Sequence, residues 1–168
     1  MTSIPPTNHP NPFQRLFARI AASPPGTWLI REVATRIDPP LMRATRGRLS
    51  FGRLAGINVA LVTTTGAKSG LPRTVPLLYF EDAGRIVVIG SNVGMKFHAG
   101  WVYNLRADPH ASVTVGGRTR GYIAGEAQDP ERERLWQIAV GIYPGFHQYE
   151  QRARGRHIPV FVLEPDER

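Results

Sequence analysis

Hydroxyl groups, glycines and cations are concentrated in residues 63–73, TTTGAKSGLPR. Gly66 and Gly70 let backbone N–H groups approach an anion closely, because glycine has no side chain. Lys68 adds a point charge, and five residues later Arg73 adds a planar guanidinium that suits phosphate or carboxylate. These residue types at this spacing predict a site for an anionic tail. A glycine-rich surface hairpin with solvated charges is the alternative.

A second candidate segment, residues 90–105 (GSNVGMKFHAGWVYNL), is a long glycine-rich loop that leads into a helix. Ser91 and Asn92 supply a hydroxyl and an amide, and Trp101 follows on the helix. Polar groups beside an aromatic ring suit a flat heteroaromatic ligand. For Trp101 the alternative is packing in the core, because Leu105 lies about one helical turn further on.

A third cluster is aromatic and consists of Tyr143, Phe146 and Tyr149, with Trp136 upstream. A spacing of three residues places the three rings on one side of a helix, where they can wall an apolar pocket. The hydroxyls of Tyr143 and Tyr149 are candidate proton donors, and water is an equally suitable source. Core packing is the alternative for all of these rings.

Hydrophobic periodicity predicts the elements that position these segments. Strands are expected at residues 59–64, 74–80, 85–89, 111–115, 118–127 and 157–163, and helices at 13–22, 27–37, 99–107 and 146–153. One more helix starts at Asp129-Pro130-Glu131, where Asp129 caps it and Pro130 takes its first position. Pro76 predicts an edge position or a bulge in the second strand. Hairpin-connected strands with few helices predict an α+β fold, an antiparallel barrel with flanking helices.

Length and charge divide the chain into three parts. The 168 residues suit one folded domain, and most of the net charge of +8 lies in residues 1–58, which hold eight arginines and two acids. We expect a Pro-rich disordered tail at 1–12, a basic helical extension at 13–58 and the barrel domain at 59–168.

Several classes of site have no support in the sequence. The chain has no cysteine, which removes disulfides, thiolate nucleophiles and iron–sulfur clusters. There is no GxGxxG after a strand, no HExxH and no GxSxG, and the five histidines are scattered, so we expect no metal site. Residues 1–12 lack the regions of a secretory signal, and no run of 18 apolar residues exists, so we expect a cytoplasmic protein.

In three places the sequence resembles the deazaflavin-dependent nitroreductase family, a branch of the flavin/deazaflavin oxidoreductases. The resemblance rests on LVTTTGAKSGLPRTVPL, on VVIGSNVG…GWVYNLRADP and on YPGFHQYEQRA…RHIPVFVLEP, and it covers about residues 55–165. It implies a split β-barrel that binds coenzyme F420, an 8-hydroxy-5-deazaflavin whose phosphodiester and oligoglutamate tail is polyanionic. The anion site predicted from residues 63–73 agrees with such a tail.

The resemblance also implies a set of cofactor-binding residues. The anionic tail is expected at Gly66, Ala67, Lys68, Ser69, Gly70 and Arg73, and the ring system over Thr74, Val75, Pro76, Leu77 and Leu78. Further contacts to the phosphate and the deazaflavin are expected from Ile89, Gly90, Ser91 and Asn92, and the ring pocket is expected to be closed by Gly100, Trp101, Val102, Tyr103 and Asn104.

The reaction that the resemblance implies is hydride transfer, because a deazaflavin carries carbon in place of the flavin nitrogen at position five. We expect hydride to pass to a conjugated acceptor such as a quinone, bound at Tyr143, Phe146 and Tyr149. Some family members have three tyrosines at these positions. This chain has Phe146 at the middle one and therefore lacks that hydroxyl, which counts against nitro substrates. The helix expected at 13–22 carries two phenylalanines in a basic region, so it is a candidate contact with the anionic inner face of a membrane. Its alternative role is to cover one end of the barrel.

Three other functions fit parts of the same sequence. The first is an enzyme that binds FMN in the same barrel. FMN has a single phosphate, so two separated cations are less necessary for its binding. A nucleic-acid-binding module would explain the charge of +8, but the arginines are not interleaved with aromatics as a stacking platform requires, so we expect no nucleic-acid partner. A non-catalytic carrier would bind the coenzyme without hydride transfer.

Overall fold

The structure, a computed structural model, describes residues 44–45 and 58–167. The tail expected at 1–12 and the helices expected at 13–22 and 27–37 lie outside the described residues, as does most of the 13–58 extension. In the described part of the chain, no helix is long and apolar enough to cross a membrane.

Six antiparallel strands form a closed barrel in the order β1-β2-β3-β6-β5-β4, with β4 pairing back onto β1. The strands are β1 (Val59–Thr65), β2 (Pro72–Asp82), β3 (Arg85–Ile89), β4 (His110–Val115), β5 (Arg118–Glu126) and β6 (Val160–Pro165). The helices are α1 (Gly100–Ala107), α2 (Glu131–Ile142) and α3 (Gly145–Arg152), and a 3-10 turn spans Asn92–Gly94. The predicted barrel-like α+β fold is confirmed.

Pro76 occupies the kind of position that its missing N–H requires. Along β2, residues 72–78 pair with β1, where Pro76 lies opposite Leu61, whereas pairing with β3 begins only at Tyr79. Among the described residues, the other edge of 72–78 therefore has no strand partner. We call it the free edge of β2, and it confirms the predicted edge position of Pro76.

The core has two layers, which explains why strand residues 86–89 are buried on both faces. Ile86 and Val88 pack inside the barrel, together with Phe161 of β6 and with α1. Val87 and Ile89 face outward and are covered by apolar residues of α2 and α3. The uninterrupted apolar run of β3 is typical of a strand that is buried in this way.

The start of α2 differs from the prediction. Asp129 was expected to cap the helix, but the helix begins at Glu131, Pro130 holds the capping position, and no side chain makes a capping hydrogen bond. The N–H of Arg132 donates to the carbonyl of Gln128 at 2.9 Å and that of Arg134 to the carbonyl of Pro130 at 3.2 Å, so backbone carbonyls accept these hydrogen bonds.

Ion pairs attach α2 to the β2–β3 turn. Asp82 binds Arg134 of α2 through both carboxylate oxygens at 2.8 Å and also binds Arg85 at 2.9 Å. Arg85 in turn binds Glu131 at 2.8 Å. This network fixes the helix that precedes the aromatic cluster against the barrel.

Candidate functional site

The loop between β1 and β2 carries the predicted anion site in a tight turn. Gly66 is buried, its N–H donates to the carbonyl of Leu71 at 2.9 Å, and a Cβ there would lie 2.6 Å from the hydroxyl of Ser69. Gly70 has φ of +64°, a conformation that favours glycine. The glycines of this segment are therefore required by its backbone.

Lys68 is exposed on this loop, as are Ala67 and Ser69, and Arg73 is exposed at the start of β2 beside it. Within residues 58–167, no carboxylate forms an ion pair with either cation. Arg73 makes one long hydrogen bond of 3.4 Å to the hydroxyl of Ser69. Two cations without a carboxylate partner, in and beside one loop, are an arrangement that suits a ligand with several negative charges.

Asn104 joins the first two predicted segments. Its Oδ1 accepts a hydrogen bond from the N–H of Ala67 at 3.0 Å, and its Nδ2 donates to the hydroxyl of Thr64 at 2.9 Å. Asn104 and Thr64 are both buried. Helix α1 therefore determines where the cation-bearing loop leaves the barrel.

The residues predicted to lie under the ring system divide between the two faces of β2. Val75 and Leu77 pack against the core inside the barrel. Because side chains alternate along a strand, Thr74, Pro76 and Leu78 share the outer face, and Leu78 packs against the outer core. Arg73 precedes these residues on the face that Val75 and Leu77 share, and the outer face leads from Thr74 toward the aromatic cluster.

The second predicted segment begins at the end of β3. Ile89 and Gly90 are buried, and a Cβ on Gly90 would lie 2.6 Å from the ring of Pro159. Ser91 is buried and makes no side-chain capping bond, whereas Asn92 uses its Nδ2 to hold the carbonyl of Phe97 at 2.9 Å.

Helix α1 places its predicted residues in different surroundings. Trp101 is 6% exposed and its ring packs on Phe161 at 5.5 Å between centroids, while Val102 is fully buried. These two side chains take the core-packing alternative. Gly100 and Tyr103 are exposed, so they remain available to a ligand.

The three predicted substrate-binding rings are buried and touch one another. Tyr143 contacts Phe146 at 5.4 Å and Tyr149 at 6.1 Å between ring centroids, and the two tyrosine hydroxyls lie 3.1 Å apart. Tyr143 and Phe146 also line a narrow apolar crevice of about 10 Å³, together with Leu78, so a ring can enter there only if the side chains around it move apart. The cluster is therefore core on one side and crevice wall on the other.

Burial raises the pKa of Tyr149 well above its usual value, and the adjacent Tyr143 adds to that effect. Tyr149 therefore keeps its proton at neutral pH. A phenol in this state is a hydrogen-bond donor rather than a ready source of protons.

Arg156 is a residue that the sequence analysis did not single out. Its guanidinium donates to the backbone carbonyls of Gly90, Ser91 and Met95, at 3.4, 2.7 and 3.0 Å. The pattern Gly-Arg before an apolar strand was visible, but the partners lie more than sixty residues earlier in the chain and are backbone atoms.

A larger cleft of about 330 Å³ adjoins the first predicted segment. It is lined by residues of that segment and of β4, β5 and the chain after β6: Thr63, Thr64, Thr65, Gly70, Pro72, His110, Ala111, Ser112, Gly121, Tyr122 and Asp166. It contains neither the two cations nor the aromatic cluster. Across residues 44–45 and 58–167, no group of three His, Asp or Glu side chains is arranged to hold a metal ion.

The fold brings the three predicted segments together around the outer face of β2. Asn104 links the first segment to the second, and Gly94 packs directly on Tyr149, which links the second to the third. The crevice between Leu78 and Phe146 links the third segment back to β2.

Comparison with known proteins identifies the family. The family model described as F420H(2)-dependent quinone reductase matches residues 34–165. An F420H(2)-dependent quinone reductase of Mycobacterium tuberculosis (strain ATCC 25618 / H37Rv) is 35% identical over 142 residues, which cover 81% of this chain and 95% of that protein.

Two solved structures are also similar. An F420-H2-dependent reductase (FDR-A) is 39% identical with a TM-score of 0.59, over 64% of this chain and 94% of that chain. A structure described as a domain-swapped dimer is 34% identical with a TM-score of 0.61, over 83% of this chain and 99% of that chain. The nitroreductase label of the sequence-based resemblance is not confirmed, because the matching family model is described as F420H(2)-dependent quinone reductase. The chain belongs to the F420H(2)-dependent quinone reductase family.

Proposed function

We propose that this chain transfers hydride from reduced coenzyme F420 to a quinone bound beside Tyr143 and Phe146. One observation carries the proposal. β2 begins beside two cations without carboxylate partners, Lys68 and Arg73, and its outer face ends at an apolar, aromatic crevice. A long ligand with a polyanionic tail and a flat apolar ring matches that polarity.

Membership of the family makes the chain an oxidoreductase with coenzyme F420 as its cofactor. The FMN alternative has no support from these relatives. The residues present fit the group, because the loop supplies cations without carboxylate partners and Ser91 keeps its hydroxyl out of capping bonds. We assign the tail to Lys68 and Arg73, the rings to the outer face of Thr74, Pro76 and Leu78, and the ring edge to Ser91.

When bound and reduced, F420 supplies the hydride. The chain's own residues orient the reactants and exclude water, because the crevice walls are apolar and Tyr143 and Phe146 are buried. Tyr149 holds its proton firmly, so we assign it a hydrogen-bonding role toward Tyr143. The proton that completes the hydroquinone then comes from Tyr143 or from water.

Two titrations and one kinetic measurement test the proposed function. The purified full chain is titrated with F420 and, separately, with FMN. Oxidation of bound reduced F420 is then followed by absorbance after menadione is added. We expect F420 binding and menadione-dependent oxidation. Tight FMN binding without F420 binding would overturn the cofactor assignment, and F420 binding without oxidation would make the protein a carrier.

We also propose that the segment 13–22 brings this cytoplasmic enzyme to the inner face of the membrane, where lipophilic quinones reside. The sequence supports this proposal, because a helix over this segment would place Phe13, Leu16, Phe17 and Ile20 on one face, with arginines on another. Co-sedimentation with anionic phosphatidylglycerol vesicles tests this idea, using the full chain and a variant that lacks residues 1–22. Equal association of both proteins would discard it.

A further inference from the structure

The guanidinium of Arg156 contacts several residues of the loop between β3 and α1. Arg156 donates through Nη2 to the carbonyl of Ser91 at 2.7 Å and through Nε to the carbonyl of Met95 at 3.0 Å. Its Nη1 lies 2.9 Å from Nδ1 of His98 and 3.4 Å from the carbonyl of Gly90. The contacts therefore span residues 90–98, which we call the Ser91 loop.

The Ser91 loop needs support from outside itself. Asn92 and Val93 both have positive φ, of +46° and +48°, a region that side chains other than glycine rarely occupy. Such backbone persists only where surrounding contacts impose it. On one side α3 supplies those contacts, because Gly94 packs against Tyr149. On the other side Arg156 supplies them.

Only arginine has the donor geometry for this task. The guanidinium is planar and offers five N–H groups in fixed directions, whereas an ammonium is a point donor on a flexible stem. The contact with His98 requires that Nδ1 be unprotonated so that it accepts. Burial lowers the pKa of His98, and the charges of Arg156 and Arg106 lower it further, which favours that neutral form.

We infer that Arg156 is a positioning residue that holds the Ser91 loop in the shape that presents Ser91 to the cofactor. It acts through the backbone of the loop rather than by touching the reactants. The inference rests on the proposed function only for the ligand that Ser91 meets, because the shape of the loop can be measured without any ligand.

The chain offers an internal reporter of loop shape. Its two lysines are Lys68, in the cation-bearing loop, and Lys96, which is exposed in the Ser91 loop. A lysine-specific endoprotease therefore reports the two loops separately. The variants are Arg156→Gln and Arg156→Lys. The second keeps the charge and loses the planar guanidinium; because it adds a third lysine, cleavage after Lys68 and after Lys96 is followed by the mass of each fragment. Arg154→Gln is the control, because Arg154 is exposed and lies two residues away.

We expect both Arg156 variants to be cut after Lys96 about tenfold faster than the unaltered chain, with cleavage after Lys68 unchanged. Both should bind F420 about tenfold more weakly, which corresponds to the loss of about one to two net hydrogen bonds. Arg154→Gln should match the unaltered chain in both assays. Unchanged melting temperature in Arg156→Lys would show that the effect is confined to the loop.

Two results would overturn the inference. Unchanged cleavage after Lys96 in Arg156→Lys and Arg156→Gln would show that the loop holds its shape without the guanidinium of Arg156. Full rescue of F420 affinity by Arg156→Lys would show that charge, not positioning, matters. If the unaltered chain fails to bind F420, the proposed function fails, while the protease assay still decides the role of Arg156 in the loop.

Discussion

The carboxamide of Asn104 donates a hydrogen bond to the hydroxyl of Thr64 at 2.9 Å, and both side chains are buried. The same carboxamide accepts from the N–H of Ala67 at 3.0 Å, at the start of the loop that carries Lys68. The two bonds have different consequences. The first ties α1 to the barrel, and the second sets the direction of the cation-bearing loop.

Asn104→Ala should therefore affect both stability and cofactor affinity. It leaves the hydroxyl of Thr64 and the N–H of Ala67 without a partner, so we expect a loss of about 1–3 kcal/mol in the free energy of unfolding and weaker F420 binding. Thr64→Val is the matched control, because it removes only the barrel bond. It should lower stability and leave F420 affinity unchanged. Equal loss of affinity in both variants would contradict this division.

The cations of the β1–β2 loop should account for most of the cofactor's electrostatic affinity. We expect Lys68→Ala/Arg73→Ala to weaken F420 binding by about a hundredfold, because each substitution removes a charge-assisted bond, worth about 1.5 kcal/mol at an exposed position. The affinity of the unaltered chain should fall with added salt, and that of the variant should fall less.

Arg118→Ala/Arg120→Ala provides a control for that experiment. It removes the same two charges from exposed positions on β5. Fluorescence titration with F420 at two salt concentrations measures all three proteins. If the β5 variant loses as much affinity as the loop variant, the effect is one of net charge and not of a site.

Local patterns in the sequence predicted the barrel more accurately than the details of its site. β3 was predicted at its observed bounds, because an unbroken apolar run between a turn and a glycine-rich loop leaves little choice. β6 was predicted to begin at 157 but begins at Val160, since Pro159 has no N–H to donate to the ladder. The predicted start of α2 was also wrong. Pro130 holds the capping position, and no side chain makes the capping hydrogen bond expected from Asp129.

The predicted site residues were placed by motif, and motifs describe side chains rather than their packing. Trp101 was expected to close the ring pocket, yet it packs on Phe161 inside the barrel. The role of Arg156 could not be predicted from the sequence around it, because its partners are carbonyls, which every residue carries. Contacts of that kind become visible only when the chain is folded.

The two buried tyrosines lead to a prediction about pH. Because burial and Tyr143 raise the pKa of Tyr149, this phenol stays protonated throughout the range from about pH 6 to about pH 9. Between about pH 6 and about pH 9, the rate of menadione reduction should therefore depend on pH in the same way in the unaltered chain and in Tyr149→Phe. A basic limb that is present in the unaltered chain and absent from Tyr149→Phe would contradict the assignment. Tyr143→Phe, measured in parallel, tests whether Tyr143 supplies the proton.

Acid should weaken the attachment of α2 through Asp82. Hydrogen bonds from Arg134 and Arg85, opposed by burial, lower the pKa of Asp82 from its ordinary 3.8 to about 2. A carboxyl whose pKa is lower in the folded state stabilises the fold above pH 3.8, and that contribution is lost as the pH falls toward 2.

Asp82→Asn should therefore cost about 1–2 kcal/mol of unfolding free energy at pH 7 and much less near pH 2. Urea unfolding across this pH range measures the difference. Glu164→Gln is the control, because Glu164 is mostly exposed and lies 3.9 Å from Arg85. A cost for Asp82→Asn that does not change with pH would show that the carboxylate's charge is not what stabilises the turn.

Gly94 should be the position where the Ser91 loop tolerates least change. Its φ is +79°, and a Cβ there would lie 2.8 Å from the carbonyl oxygen of Tyr149 and 2.7 Å from Cβ of Arg152. Gly84 has the same φ of +79° but open space around the added atom. The pair therefore separates backbone strain from crowding.

We expect Gly84→Ala to cost about 1 kcal/mol of unfolding free energy through its φ alone, and Gly94→Ala to cost about 1–3 kcal/mol more through overpacking against α3. Only Gly94→Ala should also weaken F420 binding, because it pushes the Ser91 loop away from the helix that supports it. Equal destabilisation by the two substitutions, with unchanged affinity in both, would show that the loop does not depend on its contact with α3.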